Sequence, residues 1–335
     1  MNIFSRQIWQ TTGVVLIAGM MASCGTSNTT YQENSSSSLT SPTTGKTPSV
    51  VVTTTVICDL AKRIAQDSIN LTCLLKPGID AHLYQPLPED RRAIENASLI
   101  LYSGYGLEPE LIKLIKAASN PAPKVAVAEE AVPKPLLGEE HHHQQAQGEQ
   151  LPDPHVWHNA ENGVQMVEVI ESHLETLQPA KAALYHQNAE KLKTELIKIH
   201  NWIKTQIATI PPNNRQLITT HDALGYYGNA YGIPVAGALQ GLSTDEKPTA
   251  ARVKELVDEV KASHVPTIFA EVVVNPKLIQ AVARDARVKI AQQELYSDSL
   301  GEPGSSGDSY PKMLISNTQT ILEGLGGKYV AFPAQ

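Results

Sequence analysis

From Ser49 onward, short apolar runs alternate with stretches of helical periodicity. The run SVVVTTTV predicts a buried strand, and CDLAKRIAQD after it repeats its apolar side chains every three to four residues. The alternation continues through INLTCLL, PEDRRAIENA, SLILYSG, EPELIKLIKAA and KVAVA. Strands separated by helices of this length predict right-handed β-α-β units, and therefore parallel sheets.

The alternation stops at Ala160, after which the pattern is helical for about fifty residues. Pro179 suits the first turn of a new helix, and residues 179–210 predict one linking helix of about 45 Å at about 1.5 Å per residue. Strands and helices then resume with QLITT and end near YPKMLISNTQTILEG. We therefore predict an α/β fold with two lobes of parallel sheet flanked by helices, over 49–178 and 211–335, joined by one long rigid helix.

The first 48 residues have a different composition. Residues 1–23 indicate an export signal, with Arg6 before the apolar run TTGVVLIAGMMA, which is too short to span a bilayer. Residues 24–48 carry few apolar side chains and predict a flexible tether. The segment MASC resembles the lipobox of bacterial lipoproteins, in which the cysteine is acylated, so Cys24 is the expected membrane anchor outside the cytosol. An ordinary signal peptide is the alternative.

Charge and cysteine content exclude several classes. The 335 residues include 27 Lys and Arg against 34 Asp and Glu, a formal net charge of −7, and no basic block could follow a phosphate backbone. Nucleic acid is therefore not the expected partner. Three cysteines make no thiolate cluster, but Cys58 and Cys73 could pair in an oxidising compartment. The sequence leaves open whether they come close enough.

Four metal-capable side chains follow predicted strands. His82 in KPGIDAHLYQP follows the second strand, and His155 in DPHVWHN follows the fourth after a long loop. His221 comes directly after LITT, and Asp298 in LYSDSLG follows the last strand. Ligands of open α/β sheets bind beyond the carboxyl ends of the strands. Three imidazoles and one carboxylate suit a tetrahedral site for a borderline divalent ion, so one metal site is predicted between the lobes.

His158 competes with His155 for this role, because the two flank Trp157. The DPH turn favours His155, since Asp153 is available to select its tautomer. The other histidines on predicted helices are expected to be exposed: His173, His186 and His200.

Two further carboxylates end predicted strands. Asp222 is expected either to orient a ligating imidazole or to partner a helix N-terminus. Glu271 is expected either to orient an imidazole or to lie at the surface.

Five segments, in order after the lipobox, resemble one family: PGIDAHLYQP, DPHVWHNA, THDALGYYGNAYGI, FAEVVVNPK and SDSLG. They are similar to the metal-binding lipoproteins of ABC importers for zinc and manganese, the cluster A-I solute-binding proteins of the zinc-uptake type. The resemblance covers nearly all of the chain from Ser49. It implies a C-clamp fold with a rigid linking helix and the metal between two lobes. It also implies a monomer that delivers its metal to a membrane permease with an ATPase subunit.

Position by position, His82 and His155 match the family's ligands from the first lobe, and Asp298 matches its carboxylate from the second. Manganese-type members usually place glutamate at the third position, whereas zinc-type members place histidine followed by aspartate. This chain has His221 and Asp222 there. Imidazole suits zinc and carboxylate suits manganese, so Zn²⁺ is the predicted cargo, with Mn²⁺ or mixed binding as the alternative.

The chain departs from the usual family pattern in three features. One is that its three histidines are joined by Asp298, a combination that the resemblance associates with mixed zinc and manganese preference. The His-rich acidic loop of zinc-type members is here the short segment GEEHHHQQAQGEQ. Its histidines, His141, His142 and His143, are expected either to form an auxiliary metal-collecting loop or to belong to a plain polar loop. His158 and Asn159 stand where the family usually has an apolar residue and an aspartate.

Two rival functions fit part of this pattern. A zinc hydrolase of the cell envelope would use the same ligands with Glu271 as the base. An adhesin would share only the fold. An enzyme needs an open coordination position and a substrate pocket, whereas a capture protein can close its shell. The prediction is therefore a solute-binding protein that is not an enzyme.

Overall fold

The computed structural model describes residues 47–139 and 150–333 of the chain. Its N-terminal part is a parallel four-stranded sheet in the order β2-β1-β3-β4. The strands are β1 (Ser49–Val52), β2 (Asn70–Cys73), β3 (Leu99–Tyr102) and β4 (Lys124–Ala126). The helices are α1 (Thr55–Ala65), α2 (Pro88–Glu95), α3 (Pro109–Ala117) and α4 (Val127–Ala131). A short antiparallel pair, β5 (Leu137–Glu139) and β6 (Gln150–Pro152), was not expected from the pattern.

The first predicted strand is shorter than its apolar run. It ends at Val52, and Thr54 takes an extended conformation that caps α1. Thr55 and Val56 belong to the helix, where both are buried. The β-branched residues after Val52 therefore cover the sheet from a helix rather than extend it.

A disulfide joins Cys58 of α1 to Cys73 at the end of β2, with the Cα atoms 5.9 Å apart. The sequence left open whether these two cysteines come close enough to pair, and the structure places them on neighbouring elements at bonding distance. Closing a 15-residue separation contributes about 3 kcal/mol by restricting the unfolded chain.

Two long helices follow the first sheet. In α5 (Ala160–Leu177), the Asn159 side chain caps the first turn by accepting a hydrogen bond from the N–H of Glu161 at 3.0 Å. After a 3-10 turn at Pro179–Lys181 comes α6 (Ala182–Ile207), which is about 39 Å long at about 1.5 Å per residue. It packs against α1, α5 and the last helix of the chain, so it contacts both halves of the fold.

One histidine of α6 contradicts the sequence prediction. His200 is buried, with 6% exposure, because its ring packs on Tyr231, whose hydroxyl lies 3.4 Å from His200 Nδ1. His173 is half-buried and pairs with Glu130 at 3.0 Å. His186 is exposed, as expected.

The C-terminal part repeats the α/β order. Its strands are β7 (Leu217–His221), β8 (Val235–Gln240), β9 (Thr267–Ile268) and β10 (Lys289–Ile290), and β7 pairs in parallel with β8, as β9 does with β10. The N–H of Phe269 donates to the carbonyl of Ile218 at 2.9 Å and joins the two pairs. The helices are α7 (Gly225–Tyr231), α8 (Ala250–Ser263), α9 (Lys277–Ala286) and α10 (Tyr310–Leu325).

The predicted strand PTIFAEVVV is reduced to two residues. The strand ends at Ile268, and beyond it only an isolated bridge between Glu271 and Leu295 continues the pairing. Parallel sheets, flanking helices and a long linking helix confirm the predicted α/β class. No helix within 47–139 and 150–333 has the length and apolarity needed to cross a membrane.

Candidate metal centre

Four side chains at strand exits meet in the interior of the molecule. His221 is the last residue of β7, every residue of which is buried. His82 lies in the turns after β2, and His155 directly precedes a 3-10 helix, Val156–His158. Asp298 follows the bridge at Leu295. All four residues are at most 7% exposed.

The three imidazoles surround the carboxylate of Asp298. Its oxygens lie 3.5 Å from His82 Nε2, 3.3 Å from His155 Nε2 and 3.2 Å from His221 Nε2. The Nε2 atoms of His82 and His155 are 3.3 Å apart. One nitrogen or oxygen atom from each of the four residues lies within 4.8 Å of the others, which is close enough to surround one ion. We call these residues the four-residue cluster.

Buried carboxylates orient two of the imidazoles. His155 Nδ1 lies 2.8 Å from Asp153 Oδ1, and His221 Nδ1 contacts Glu271 Oε2. Glu271 is fully buried, and its other oxygen accepts the N–H groups of Thr220 and His221 at 2.8 Å each. An imidazole held at Nδ1 presents Nε2 to a metal. Of the alternatives for Glu271, the surface position is therefore wrong.

The turn that carries Asp153 needs a glycine opposite it. A Cβ atom on Gly225, the first residue of α7, would lie 2.8 Å from Asp153 Oδ2.

The half-buried Asp222, just before α7, donates its backbone N–H to the carbonyl of Gly241 at 3.1 Å. Its predicted role in orienting His221 stays a prediction.

The three histidines of the cluster differ in pKa. Burial lowers the pKa of His155, but hydrogen bonds to Asp153 and Asp298 outweigh this and raise it to about 9. Burial also opposes the charged form of His221, yet Glu271 and Asp298 hold its pKa well above the usual range. Burial lowers the pKa of His82 to about 3. A cation bound at this site would have to displace protons from His155 and His221.

Asp298 is the matching anion. Burial raises its pKa, but the charged rings of His221 and His155 and their hydrogen bonds hold it well below the usual value. The carboxylate is therefore ionised at neutral pH and available to a metal.

Hydrogen bonds close the protein around the cluster and were not foreseen from the sequence. Thr244 Oγ1 donates to Asp80 Oδ2 at 2.6 Å, and the other Asp80 oxygen accepts the N–H of His82 at 2.9 Å. Gly78 N donates to Ser299 Oγ at 2.8 Å. The hydrogen bonds from residues 78–80 to the second half join positions that are far apart in sequence. The one sequence signal for them was that Asp80 lies two residues before His82.

The competition between neighbouring histidines is resolved geometrically. His155 belongs to the four-residue cluster and His158 does not. His158 is fully buried, and burial, together with the nearby ring of His155, lowers its pKa to about 3. The ring is therefore neutral at physiological pH.

A second group of metal-capable atoms lies on α5 and α6. It consists of Glu171, Glu175 and His186. The ammonium of Lys193 lies 3.5 Å from Glu171 Oε2 and already supplies a positive charge. The group is therefore a charge-balanced surface network. Cys24 and the histidines 141–143 lie outside the described residues.

A fold with parallel sheets on either side of a long helix, and a buried nitrogen-rich cluster between its halves, defines a solute-binding protein for a metal ion. The chain belongs to the family described as zinc-uptake complex component A, periplasmic, whose profile matches residues 50–324. Members are the solute-binding components of ABC importers for metals, so this chain is a binding protein and not an enzyme. It works outside the cytoplasm, at the membrane surface.

Relatives of known name differ in their metal. The manganese-binding lipoprotein MntA of Bacillus subtilis is 35% identical over 82% of this chain and 89% of its own length. The manganese ABC transporter substrate-binding lipoprotein PsaA of Streptococcus pneumoniae is 32% identical, over 84% and 91%. The periplasmic zinc-binding protein TroA of Treponema pallidum superposes with a TM-score of 0.76 at 31% identity, over 84% of this chain and 99% of its own.

Proposed function

We propose that this chain captures Zn²⁺ through His82, His155, His221 and Asp298 and delivers it to a membrane permease with an ATPase subunit. The observation that carries the proposal is the donor set: three imidazole nitrogens within 3.5 Å of one ionised carboxylate, all buried. Neutral imidazole favours zinc, and raw affinity for such a site rises from manganese to zinc. The ion is the cargo, so the site must release it as well as bind it.

Manganese is the second candidate. It is favoured by the names of the B. subtilis and S. pneumoniae relatives, both of which are manganese proteins. The carboxylate of Asp298 is a ligand of the kind that manganese prefers. Metal supply in the cell can select manganese even where the intrinsic affinity favours zinc.

Competition on the metal-free protein separates the two. The native protein is first analysed for bound metal, and the stripped protein is then titrated with equimolar Zn²⁺ and Mn²⁺. We expect one zinc per chain and no manganese. His221→Glu should move the preference toward manganese, because it replaces a nitrogen by an oxygen. Retention of manganese against zinc by the natural sequence would overturn the choice of zinc.

We further propose that Cys24 carries the lipid anchor, that residues 1–23 are removed and that 24–48 form the tether. The protein is proposed to be a monomer with lobes over 49–178 and 211–335, and α6 is the helical part of the linking segment 179–210. Cys24→Ala should release the protein from the membrane fraction without changing zinc stoichiometry.

We also propose that the short loop with His141, His142 and His143 collects metal. Replacing the three histidines by glutamine should then slow loading at low zinc and leave the affinity of the cluster unchanged.

A further inference from the structure

One buried histidine near the metal centre stands outside the four-residue cluster. His158 has no solvent exposure, and neither of its ring nitrogens makes a hydrogen bond of good geometry within residues 47–139 and 150–333, where the backbone of Ser297 is its one weak partner. A buried polar group without a good hydrogen-bond partner destabilises the folded state. A phenylalanine or leucine at this position would avoid that cost. A fully buried imidazole with so weak a partner therefore needs an explanation.

The position of His158 supplies one. It is the last residue of the 3-10 helix that begins directly after His155. Residues three apart in such a helix lie on the same side. Trp157 lies beside both rings, with its centroid 5.5 Å from that of His155 and 5.6 Å from that of His158. The imidazole is therefore a close neighbour of a cluster histidine and shares its backbone turn.

The segment that carries Asp298 also contacts Trp157. The indole Nε1 donates to the carbonyl of Ser297 at 3.0 Å, which ties the turn of His158 to the residue before Asp298. The hydroxyl of Ser297 is also buried and unpartnered within the described residues. Asp298 is in electrostatic range of His158, since its charge acts on the pKa of that ring. Trp157 thus contacts the ring of His155, the ring of His158 and the segment of Asp298.

We propose that His158 is an auxiliary metal ligand, which binds the ion transiently while it enters or leaves the four-residue cluster. This inference rests on the proposed function. A neutral imidazole offers a lone pair, and imidazole is the commonest metal ligand in proteins. In the exchange, one metal–ligand bond to the cluster breaks as the bond to His158 forms, with no electron transferred. A waiting donor lowers the barrier because the ion does not lose a ligand without replacement.

The test measures how fast zinc leaves. Protein loaded with one equivalent of Zn²⁺ is mixed with excess chelator in a stopped-flow instrument, for the natural sequence, His158→Phe and His158→Gln. Glutamine can hydrogen-bond but is a poor zinc ligand, so it separates hydrogen bonding from ligation. His200→Phe makes the same exchange at a buried histidine outside the cluster and is the matched control.

We expect both His158 variants to release zinc about tenfold more slowly, which corresponds to about 1.4 kcal/mol on the barrier. Zinc stoichiometry should remain one, and the visible spectrum of the Co²⁺-loaded protein should not change, because the equilibrium ligands are the other four. The His200→Phe protein should release zinc at the natural rate.

Two results would overturn the proposal. Unchanged release in both His158 variants would remove the residue from metal exchange. Natural release by His158→Gln with slow release by His158→Phe would assign His158 to a hydrogen bond, for example through a buried water shared with Ser297. A natural protein that binds neither zinc nor manganese would instead refute the proposed function. If His158→Phe fails to fold, the glutamine variant alone decides between exchange and no role.

Discussion

At the scale of single residues, the site depends on which nitrogen of each histidine is occupied. Asp153 and Glu271 hold the Nδ1 atoms of His155 and His221, so both Nε2 atoms turn toward Asp298. The geometry of the site is therefore set by buried carboxylates that do not themselves belong to the cluster. Ligand type alone would not produce this arrangement, because a free imidazole can turn or change tautomer.

Glu271→Gln tests this dependence. The amide keeps the shape but removes the charge that holds His221, and losing such a partner typically weakens metal affinity by about 10- to 100-fold. Zinc affinity is measured by competition with a chelator of known strength. Glu130→Gln, which breaks the half-exposed pair with His173, is the control and should bind zinc normally. Unchanged affinity in Glu271→Gln would show that the backbone alone positions His221.

Zinc affinity should depend on pH over an unusually high range. An unperturbed histidine has a pKa of about 6.5, but the pKa of His155 is raised to about 9 and that of His221 lies well above the usual value. Below these pKa values each ring carries a proton that the ion must displace, so affinity falls as pH drops and rises up to about pH 9.

Calorimetry in buffers of different ionisation enthalpy measures this coupling. At pH 7, zinc binding should release protons from both His155 and His221. In Asp153→Asn, the pKa of His155 should fall, and fewer protons should be released. Binding with no proton release at pH 7 would contradict the charge distribution described for the cluster.

At the scale of elements, the ends of strands and the loops that follow them place the ligands. The turn at Asp80 is one such loop, because its carboxylate links the N–H of His82 to the hydroxyl of Thr244 in the second half. A loop after β2 is thereby fastened to the loop after β8. The position of His82 depends on this contact.

Thr244→Val removes the hydroxyl and keeps the shape. The lost hydrogen bond should cost about 1 kcal/mol of unfolding free energy, and zinc release should become several times faster because His82 is less firmly held. Denaturant unfolding and chelator-driven release measure the two effects. Thr176→Val, which removes an exposed helix hydroxyl bonded to Ser172, is the control for valine substitution. Equal release rates in both variants would separate the Asp80 contact from metal retention.

At the scale of the whole molecule, the proposed metal site contains residues of both halves. His82 and His155 come from the first half, whereas His221 and Asp298 come from the second, and α6 packs against helices of both. A ligand that binds only the folded state stabilises it by mass action. An ion bound at the proposed site would therefore oppose separation of the halves as well as local unfolding.

Zinc should raise the unfolding temperature in a concentration-dependent way. At a free zinc concentration of about 100 times Kd the gain is about 2.7 kcal/mol. Differential scanning calorimetry of metal-free and zinc-loaded protein measures it. His82→Ala and His221→Ala should each abolish most of the shift, although they alter different halves. A shift retained in either variant would place the ion elsewhere.

Local sequence patterns were enough to predict the types and the order of most secondary-structure elements. The alternation of strand and helix periodicity predicted the α/β class. The helical pattern after Pro179 predicted the long helix α6. The weakest predictions concerned strand length. SVVVTTTV and PTIFAEVVV are both rich in β-branched residues, yet only four and two residues respectively are strand, because the rest of each segment packs in other conformations.

The sequence by itself determined which residue types stand at the ends of the strands, since side-chain periodicity and chain order are local properties. His82, His155, His221 and Asp298 could be proposed on that ground alone. The tertiary structure decided what depends on distant segments: that His155 rather than His158 faces Asp298, that Glu271 is buried, that His200 is covered by Tyr231 and that Cys58 meets Cys73. Burial and pairing arise only where remote parts of the chain pack together, so no local pattern contains them.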